Sequence, residues 1–279
     1  MQANSLDRFF ETAGAKLRYR DEGHGPAVLL VHGWTLDLNM WDAQAAALSD
    51  AFRMVRLDRR GHGLSSGRPS TARDGADLRA LCEHLQLHCA ALVGMSQGAR
   101  AVLQFAASFP ETTSCVILDG APPIGARKGT RGSIEIPYAH YRELAQTRGL
   151  PAFREEWSRH ALARLRTQDR KAHALLERMI ARYPGADLTD PASVAVVPPD
   201  PDIESMNQPF LVINGEFDLD SRKYSGSQLA LQLPHAEYVE IPDAGHLSNL
   251  DNPRAYNQVL RPFLERHALP ANQPVRSLR

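Results

Sequence analysis

The sequence has no excess of charge, few cysteines and no long apolar run, and each absence excludes a class of protein. Lys and Arg together number 32, as do Asp and Glu, so no net field points to nucleic acid or polyanions. The three cysteines, Cys82, Cys89 and Cys115, lack Cys-x-x-Cys spacing. This favours buried reduced thiols over a disulfide framework or a zinc site. Apolar runs such as Ala27 to Val31 are too short to span a bilayer.

These absences also set expectations for partners and location. Residues 1–17 contain no apolar segment of the kind found in secretory signals, so a cytoplasmic location is the default expectation. A chain of zero net charge favours a neutral or weakly charged small molecule as substrate, with neither nucleic acid nor membrane as a partner. Whether the protein forms a homodimer is left open.

Short apolar runs alternate with amphipathic segments along most of the chain. The alternation predicts an α/β fold whose central sheet is mostly parallel and flanked by helices. The continuous apolar runs are typical of strands covered on both faces. Strands are predicted at 27–31, 52–57, 89–94, 114–120, 209–215 and 236–241, helices at 72–87, 96–109 and 221–233, and an edge hairpin at 9–23 around Ala13-Gly14.

The alternation stops between about Pro122 and Met206. This stretch shows helical patterns at 138–149, 152–165 and 171–183, no convincing strand, and a Pro/Asp-rich loop at its end. We therefore expect a helical cap, or lid, at 123–205, inserted between two parts of one core, 1–122 and 206–279. The tail at 268–279 is expected to be poorly ordered.

Ser96 stands between two glycines in the stretch VGMSQGAR, after a predicted strand and before a predicted helix. A sharp strand-to-helix turn would hold the serine hydroxyl outward at the carboxyl end of the sheet, where open α/β sheets bind ligands. Gly94 and Gly98 would remove side chains where the backbone crowds. The motif Gly-x-Ser-x-Gly also occurs by chance in glycine-containing loops. Its position here, between a predicted strand and a predicted helix, strengthens the interpretation of Ser96 as a nucleophile.

A nucleophilic serine needs a base and an acid that orients the base. His246 lies in a turn after the strand at 236–241, and Asp218 follows the strand at 209–215. Both loops therefore belong to the same sheet edge as Ser96. Glu216 and Asp220 are only two residues from Asp218, and the pattern alone leaves them as alternatives.

Other residues of the glycine loops have competing interpretations. His62 is the strongest rival base, but it precedes the serine, and a structural or pocket-lining role is favoured for it. The backbone N–H groups of Gln97 and Trp34 are the candidate oxyanion donors, since Gly33 lets the chain turn sharply before Trp34. His32 is expected to brace this loop. Substrate-pocket candidates are His32, Gly33 and Gln97, and the Trp34 ring either walls the pocket or packs under the insertion.

The motif set resembles α/β-hydrolase fold serine hydrolases over nearly the whole chain, least in the insertion. The motifs that carry the resemblance are VHGWTLDLNMWDAQ, RLDRRGHGLSSG, LVGMSQGA, PFLVINGEFD and AGHLSNLDNP. They are most similar to bacterial aryl esterases related to cofactor-free haloperoxidases and perhydrolases, and to enol-lactonases. The resemblance implies the triad Ser96, Asp218 and His246, because the family motif Pro-x-Leu-x-Ile-x-Gly-x-x-Asp matches Asp218.

The resemblance implies hydrolysis of a small carboxylic ester or lactone through an acyl-enzyme on Ser96, with no metal or cofactor. The alternatives are a C–C bond hydrolase or lyase with the same triad, and a non-catalytic small-molecule-binding member of the fold. Serine at 96 disfavours haloalkane dehalogenases and epoxide hydrolases, which need a carboxylate nucleophile. Three departures concern the substrate: His32-Gly33-Trp34 replaces the HGGG of many lipases, Gln97 replaces a common Met or Leu, and Ala99 replaces a frequent glycine.

Overall fold

The computed structural model describes residues 6–124, 136–190 and 198–270, which form an eight-stranded sheet with helices on both faces. The strand order is β1-β2-β4-β3-β5-β6-β7-β8. Among the described strands only β2 runs against the others, so the sheet is mostly parallel, as predicted. The strands are β1 (Arg8–Thr12), β2 (Ala15–Glu22), β3 (Ala27–Val31), β4 (Arg53–Leu57), β5 (Ala90–Met95), β6 (Thr113–Asp119), β7 (Phe210–Gly215) and β8 (Ala236–Ile241).

The inner strands are buried on both faces, which explains their continuous apolar sequence. Along β3, Val28 and Leu30 point into one apolar core, whereas Leu29 and Val31 point into the other. This is the arrangement expected for parallel strands covered by helices on each side. The edge hairpin is also confirmed, because β1 and β2 pair antiparallel across Ala13 and Gly14, both with positive φ.

Helices cover both faces of the sheet, and the sequence did not predict all of them. The helices are α1 (Asp42–Leu48), α2 (Asp74–His84), α3 (Gln97–Ser108), α4 (Tyr138–Trp157), α5 (Arg170–Arg182), α6 (Ala186–Thr189), α7 (Asp220–Gln232), α8 (Ser248–Asp251) and α9 (Pro253–His267). The sequence analysis missed α1 and α9, and also the one-turn helices α6 and α8. The start of α9 carries a recognisable signal, since Asn252 caps it, accepting the N–H of Ala255, and Pro253 follows.

Residues 123–205, called the insertion below, lie between β6 and β7 and contribute α4, α5 and α6. Helix α4 is broken at Gly149, the last residue of the first predicted segment, where φ is 83° and ψ is 165°. The second segment was predicted to run to residue 165, but α4 ends at Trp157 and a short turn follows at Ala161–Ala163. The residues 136–190 and 198–205 contain no strand. The division of the chain into core and cap remains a prediction, and the tail beyond 270 lies outside the described residues.

Two further expectations can be compared with the structure. The three cysteines are free and buried, as predicted. In the described parts of the chain we find no helix that combines the length and the apolar character needed to cross a membrane.

Candidate active site

Ser96 occupies the turn between β5 and α3 in a conformation that L-residues rarely adopt. Its φ is 52° and its ψ is −115°, and its N–H donates to the carbonyl of Asp119 over 2.7 Å. Such a backbone conformation destabilises the folded state by of order 1–3 kcal/mol, so the surrounding structure must impose it. The serine is 9% exposed, so its side chain lies within the protein and not on an open surface.

The two flanking glycines are required by close backbone contacts. A Cβ on Gly94 would lie 2.3 Å from the carbonyl oxygen of Gly98, and one on Gly98 would lie 2.3 Å from that of Val31. Both distances are below any real Cβ contact, so alanine at Gly94 would push β5 away from α3, and alanine at Gly98 would push α3 away from the end of β3. The glycines therefore allow the sharp turn that Ser96 occupies.

The strain at position 96 leads to a stability prediction. We expect the free energy of unfolding to be about 1–2 kcal/mol larger for Ser96→Gly than for Ser96→Ala. The glycine variant should be the more stable one, because glycine adopts positive φ without a Cβ clash. Urea unfolding of the two variants measures this difference. Both variants lack the hydroxyl, so the comparison isolates the backbone. Equal stability of the two variants would show that the turn is unstrained.

His246 and Asp218 form a buried hydrogen-bonded pair on the loops that follow β8 and β7. The Nδ1 of His246 lies 3.0 Å and 3.1 Å from the two carboxylate oxygens of Asp218. Glu216 instead accepts the N–H of Asp243, and Asp220 is the first residue of α7. The geometry thus separates Asp218 from the two acids that the sequence pattern left open.

The surroundings of Asp218 favour its ionised form. Burial alone would raise the pKa of Asp218, but the imidazole of His246 and hydrogen bonds from His246, Asn214 and the N–H of Leu219 bring it below its ordinary value. An ionised carboxylate can only accept hydrogen bonds, so the imidazole proton lies on Nδ1. The Nε2 of His246 keeps its lone pair and can act as a base.

The loop after β3 lies directly against the serine. A Cβ on Gly33 would come within 2.9 Å of the Met95 sulfur and 3.4 Å of Ser96 Cβ. His32 is fully enclosed; its Nδ1 donates to the Gly33 carbonyl over 2.7 Å and its Nε2 accepts the N–H of Arg59 over 2.9 Å. His32 therefore braces this loop, as the sequence suggested, and its burial leaves it no access to a ligand.

Trp34 joins this loop to the insertion. Its indole N–H donates to the hydroxyl of Tyr183 and to the carboxylate of Asp187, each over 2.8 Å. Its ring centroid lies 4.8 Å from that of Trp157 and 4.9 Å from that of Tyr138. Trp34 thus packs under the insertion, and its backbone position depends on residues far away in sequence.

The side chain of Gln97 is engaged by other residues of the protein. Arg59 donates from Nη1 to the Gln97 amide oxygen over 2.7 Å, and Arg59 itself forms a two-pronged pair with Asp74. The Gln97 amide nitrogen lies 3.4 Å from the hydroxyl of Tyr138. As the first residue of α3, Gln97 has a backbone N–H without an intrahelical acceptor. Arg59 is a contact that sequence reasoning missed.

A second missed residue is Asp119, at the end of β6. Its backbone carbonyl accepts the N–H of Ser96, and its carboxylate accepts the hydroxyl of Ser248 over 3.0 Å and 3.1 Å. Burial raises the pKa of Asp119 well above its ordinary value. Since Ser248 is two residues beyond His246, Asp119 connects the serine turn to the histidine loop.

His62, the rival base, packs beside His32 and Tyr183. Its ring centroid is 5.3 Å from that of His32 and 5.5 Å from that of Tyr183, and its Nδ1 lies 3.1 Å from the Arg60 carbonyl. Burial and the nearby Arg59 guanidinium lower the pKa of His62 to about 4. His62 is therefore a neutral, packed residue at neutral pH.

Comparison with known families accounts for this arrangement. A family model described as the alpha/beta hydrolase fold matches residues 26–253. The chain belongs to this family. The resemblance inferred from the motifs is thereby confirmed.

Relatives of this alpha/beta hydrolase span nearly its whole length. The putative 2-succinyl-6-hydroxy-2,4-cyclohexadiene-1-carboxylate synthase of Bacillus subtilis is 27% identical, over 91% of this chain and 97% of the relative. The 3-oxoadipate enol-lactonase 2 of Acinetobacter baylyi is 28% identical, over 86% and 89%. Among solved structures, a thermophilic esterase from Thermogutta terrifontis superposes with a TM-score of 0.80 at 27% identity, covering 95% of this chain and all of that one.

In this alpha/beta hydrolase, Ser96 and His246 open into one mostly apolar cavity, called the Ser96 cavity below. Its free volume is about 20 Å³, between walls that open in part to solvent. Its walls come from the loop after β3, from the ends of β5 and β8, and from the insertion. The lining residues are Trp34, Thr35, Leu36, Met95, Ser96, Ile136, Trp157, Leu162, Ala163, Leu176, His246 and Leu247.

The three predicted pocket residues do not belong to this lining among the described residues. His32 is enclosed, Gly33 packs against Met95 and Ser96, and the Gln97 side chain is held by Arg59 and Tyr138. The Trp34 ring lines the cavity and also packs under the insertion, so both interpretations given for it hold. The cavity wall instead depends on insertion residues that no motif marks.

Proposed function

We propose that this alpha/beta hydrolase cleaves small carboxylic esters or lactones through an acyl-enzyme on Ser96. The observation that carries the proposal is that Ser96 and His246 line one apolar cavity, while His246 is hydrogen-bonded to the buried carboxylate of Asp218. The names of its relatives, an enol-lactonase and an esterase, support this class of substrate.

In the first half of the reaction, Ser96 Oγ attacks the substrate carbonyl while His246 Nε2 takes the serine proton. Asp218 keeps the imidazole in the tautomer that can accept this proton and stabilises the imidazolium that results. Collapse of the tetrahedral intermediate breaks the carbonyl–oxygen bond. The leaving alcohol takes the proton from His246, and the acyl group stays on Ser96.

The negative charge of the tetrahedral intermediate needs donors that are already in place. We assign this role to the backbone N–H groups of Trp34 and Gln97. Gln97 is the first residue of α3, so the positive end of the helix dipole faces the same place. The hydrogen bonds that tie the Trp34 side chain to Asp187 and the Gln97 side chain to Arg59 support a fixed position for both donors.

In the second half, water gives a proton to His246 and attacks the acyl carbonyl. The second tetrahedral intermediate then breaks its bond to Ser96 Oγ, which takes the proton back from His246, and the acid is released. The apolar walls of the Ser96 cavity favour an uncharged group on one side of the scissile bond. We propose that the insertion, 123–205, serves as the lid that shapes this cavity over the core formed by 1–122 and 206–279.

The test combines turnover with labelling. The wild-type protein is incubated with p-nitrophenyl esters of graded chain length and with several lactones, and separately with a fluorophosphonate. We expect ester hydrolysis and stoichiometric labelling that peptide mass spectrometry assigns to Ser96. The absence of hydrolysis with every ester and lactone would overturn the proposal and favour a binding protein. Labelling of a different residue would overturn the assignment of the nucleophile.

A further inference from the structure

A second, larger cavity lies within the insertion, next to the Ser96 cavity. Its free volume is about 530 Å³, against about 20 Å³ for the Ser96 cavity. Its walls include the apolar side chain of Ile180 and the charged side chains of Arg154, Glu155 and Glu177. We call it the insertion cavity.

Two residues line both cavities, namely Leu176 on α5 and Ala163 in the turn after α4. Leu176 is 6% exposed and Ala163 is 4% exposed, so each is packed between the two spaces. Their side chains therefore form a partition one residue thick. On the side of Ser96 this partition adjoins apolar residues such as Leu162, and beyond it lies space that a chain could occupy.

We propose that Leu176 and Ala163 set the longest unbranched chain that the ester substrate can carry. This inference rests on the proposed function and specifies its substrate class as short-chain esters. A chain that enters the Ser96 cavity ends against the partition. When Leu176 is shortened, the cavities join, and a chain of six to eight carbons continues beside Ile180.

The charged groups of the insertion cavity do not prevent this. Arg154 donates to the Tyr183 carbonyl, and Arg and Glu side chains can cover apolar surface with their stems while their heads remain in water. The apolar residues Leu165, Ile180 and Ala181 provide wall for methylene groups. Since each buried methylene adds to binding, a joined cavity should favour each added carbon.

The experiment compares kcat/KM for p-nitrophenyl acetate, butanoate, hexanoate and octanoate among wild type, Leu176→Ala and Met179→Ala. We expect wild-type activity to fall steeply beyond the short esters. In Leu176→Ala the ratio of octanoate to acetate should rise at least about tenfold. Met179 is buried on the same helix and lies in neither cavity lining, so Met179→Ala reproduces the loss of packing without opening the partition.

Leu176→Ala could fail to fold, which thermal melting would reveal. A second variant, Ala163→Val, therefore tests the same partition by the opposite change. Ala163→Val thickens the partition, and we expect it to lower butanoate hydrolysis relative to acetate. An unchanged chain-length profile in folded Leu176→Ala, or in Ala163→Val if the first variant does not fold, would overturn the partition. So would a wild-type enzyme that hydrolyses octanoate as well as acetate. Wild-type protein that hydrolyses lactones but no ester would overturn this inference alone, whereas protein inert toward every ester and lactone would overturn the proposed function as well.

Discussion

Replacing Ser96 with alanine is expected to lower kcat for a p-nitrophenyl ester by about 10⁶-fold, as in serine proteases that lose their nucleophile. Without the hydroxyl no acyl-enzyme forms, and His246 and Asp218 have no serine to activate. The remaining donors and cavity can only assist direct attack by water, which is a much slower route. Steady-state rates and the loss of fluorophosphonate labelling measure the effect.

The matched control for this variant is Ser114→Ala. Ser114 is a buried serine near the start of β6, at the opposite edge of the sheet from Ser96. The Ser114→Ala variant should hydrolyse the same ester at the wild-type rate within about twofold, because the hydroxyl it removes lies at the amino end of β6, away from the triad. A Ser96→Ala protein that is folded and keeps a tenth of the wild-type rate would contradict a covalent mechanism on Ser96.

The parts of the fold that the sequence predicted are those that local patterns determine. The continuous apolar runs of β3, β5, β6 and β7 admit few alternatives to a buried parallel strand, and Ala13-Gly14 fixes the edge hairpin. Once the strands are parallel, their carboxyl ends share one edge, which brings Ser96, Asp218 and His246 together. Helix α9 was missed although its sequence carries a clear amphipathic pattern and a capped start at Asn252.

The parts that could not be predicted depend on contacts between distant segments. The Arg59 contact to Gln97 spans 38 residues, and the Asp119 contact to Ser248 spans 129. No spacing rule encodes such pairs. The same holds for the Ser96 cavity, whose wall of Trp157, Leu162 and Leu176 depends on how the insertion packs against the core.

Gln97 shows how a departure from the family pattern is accommodated. The sequence left its amide as a candidate for polar substrate recognition. In the structure the Arg59 guanidinium, which is itself paired with Asp74, donates to the Gln97 amide oxygen. The Gln97 side chain is therefore engaged within the protein. The polar neighbour of Ser96 therefore holds the turn between β5 and α3, and the cavity wall near Ser96 is formed mainly by apolar residues.

Replacing Asp218 with asparagine is expected to lower kcat by about 10⁴-fold while leaving the fold intact. The amide introduced by Asp218→Asn can donate to His246 Nδ1, which would hold the imidazole as the Nε2–H tautomer, unable to take the serine proton. Asp218→Ala, which removes the donor, tests this account, because its histidine is free to change tautomer. The measurement is kcat for one p-nitrophenyl ester at neutral pH, with circular dichroism as the check of folding.

The matched controls are the two acids that the sequence pattern could not separate from Asp218. Glu216→Gln and Asp220→Asn are isosteric changes within two residues of Asp218, and neither residue contacts His246 among the described hydrogen bonds. Each should change kcat by less than about threefold, because the tautomer of His246 is set by the carboxylate that lies 3.0 Å from its Nδ1. If Asp220→Asn cost as much as Asp218→Asn, the orienting acid would be Asp220, and the loop after β7 would have to rearrange when substrate binds.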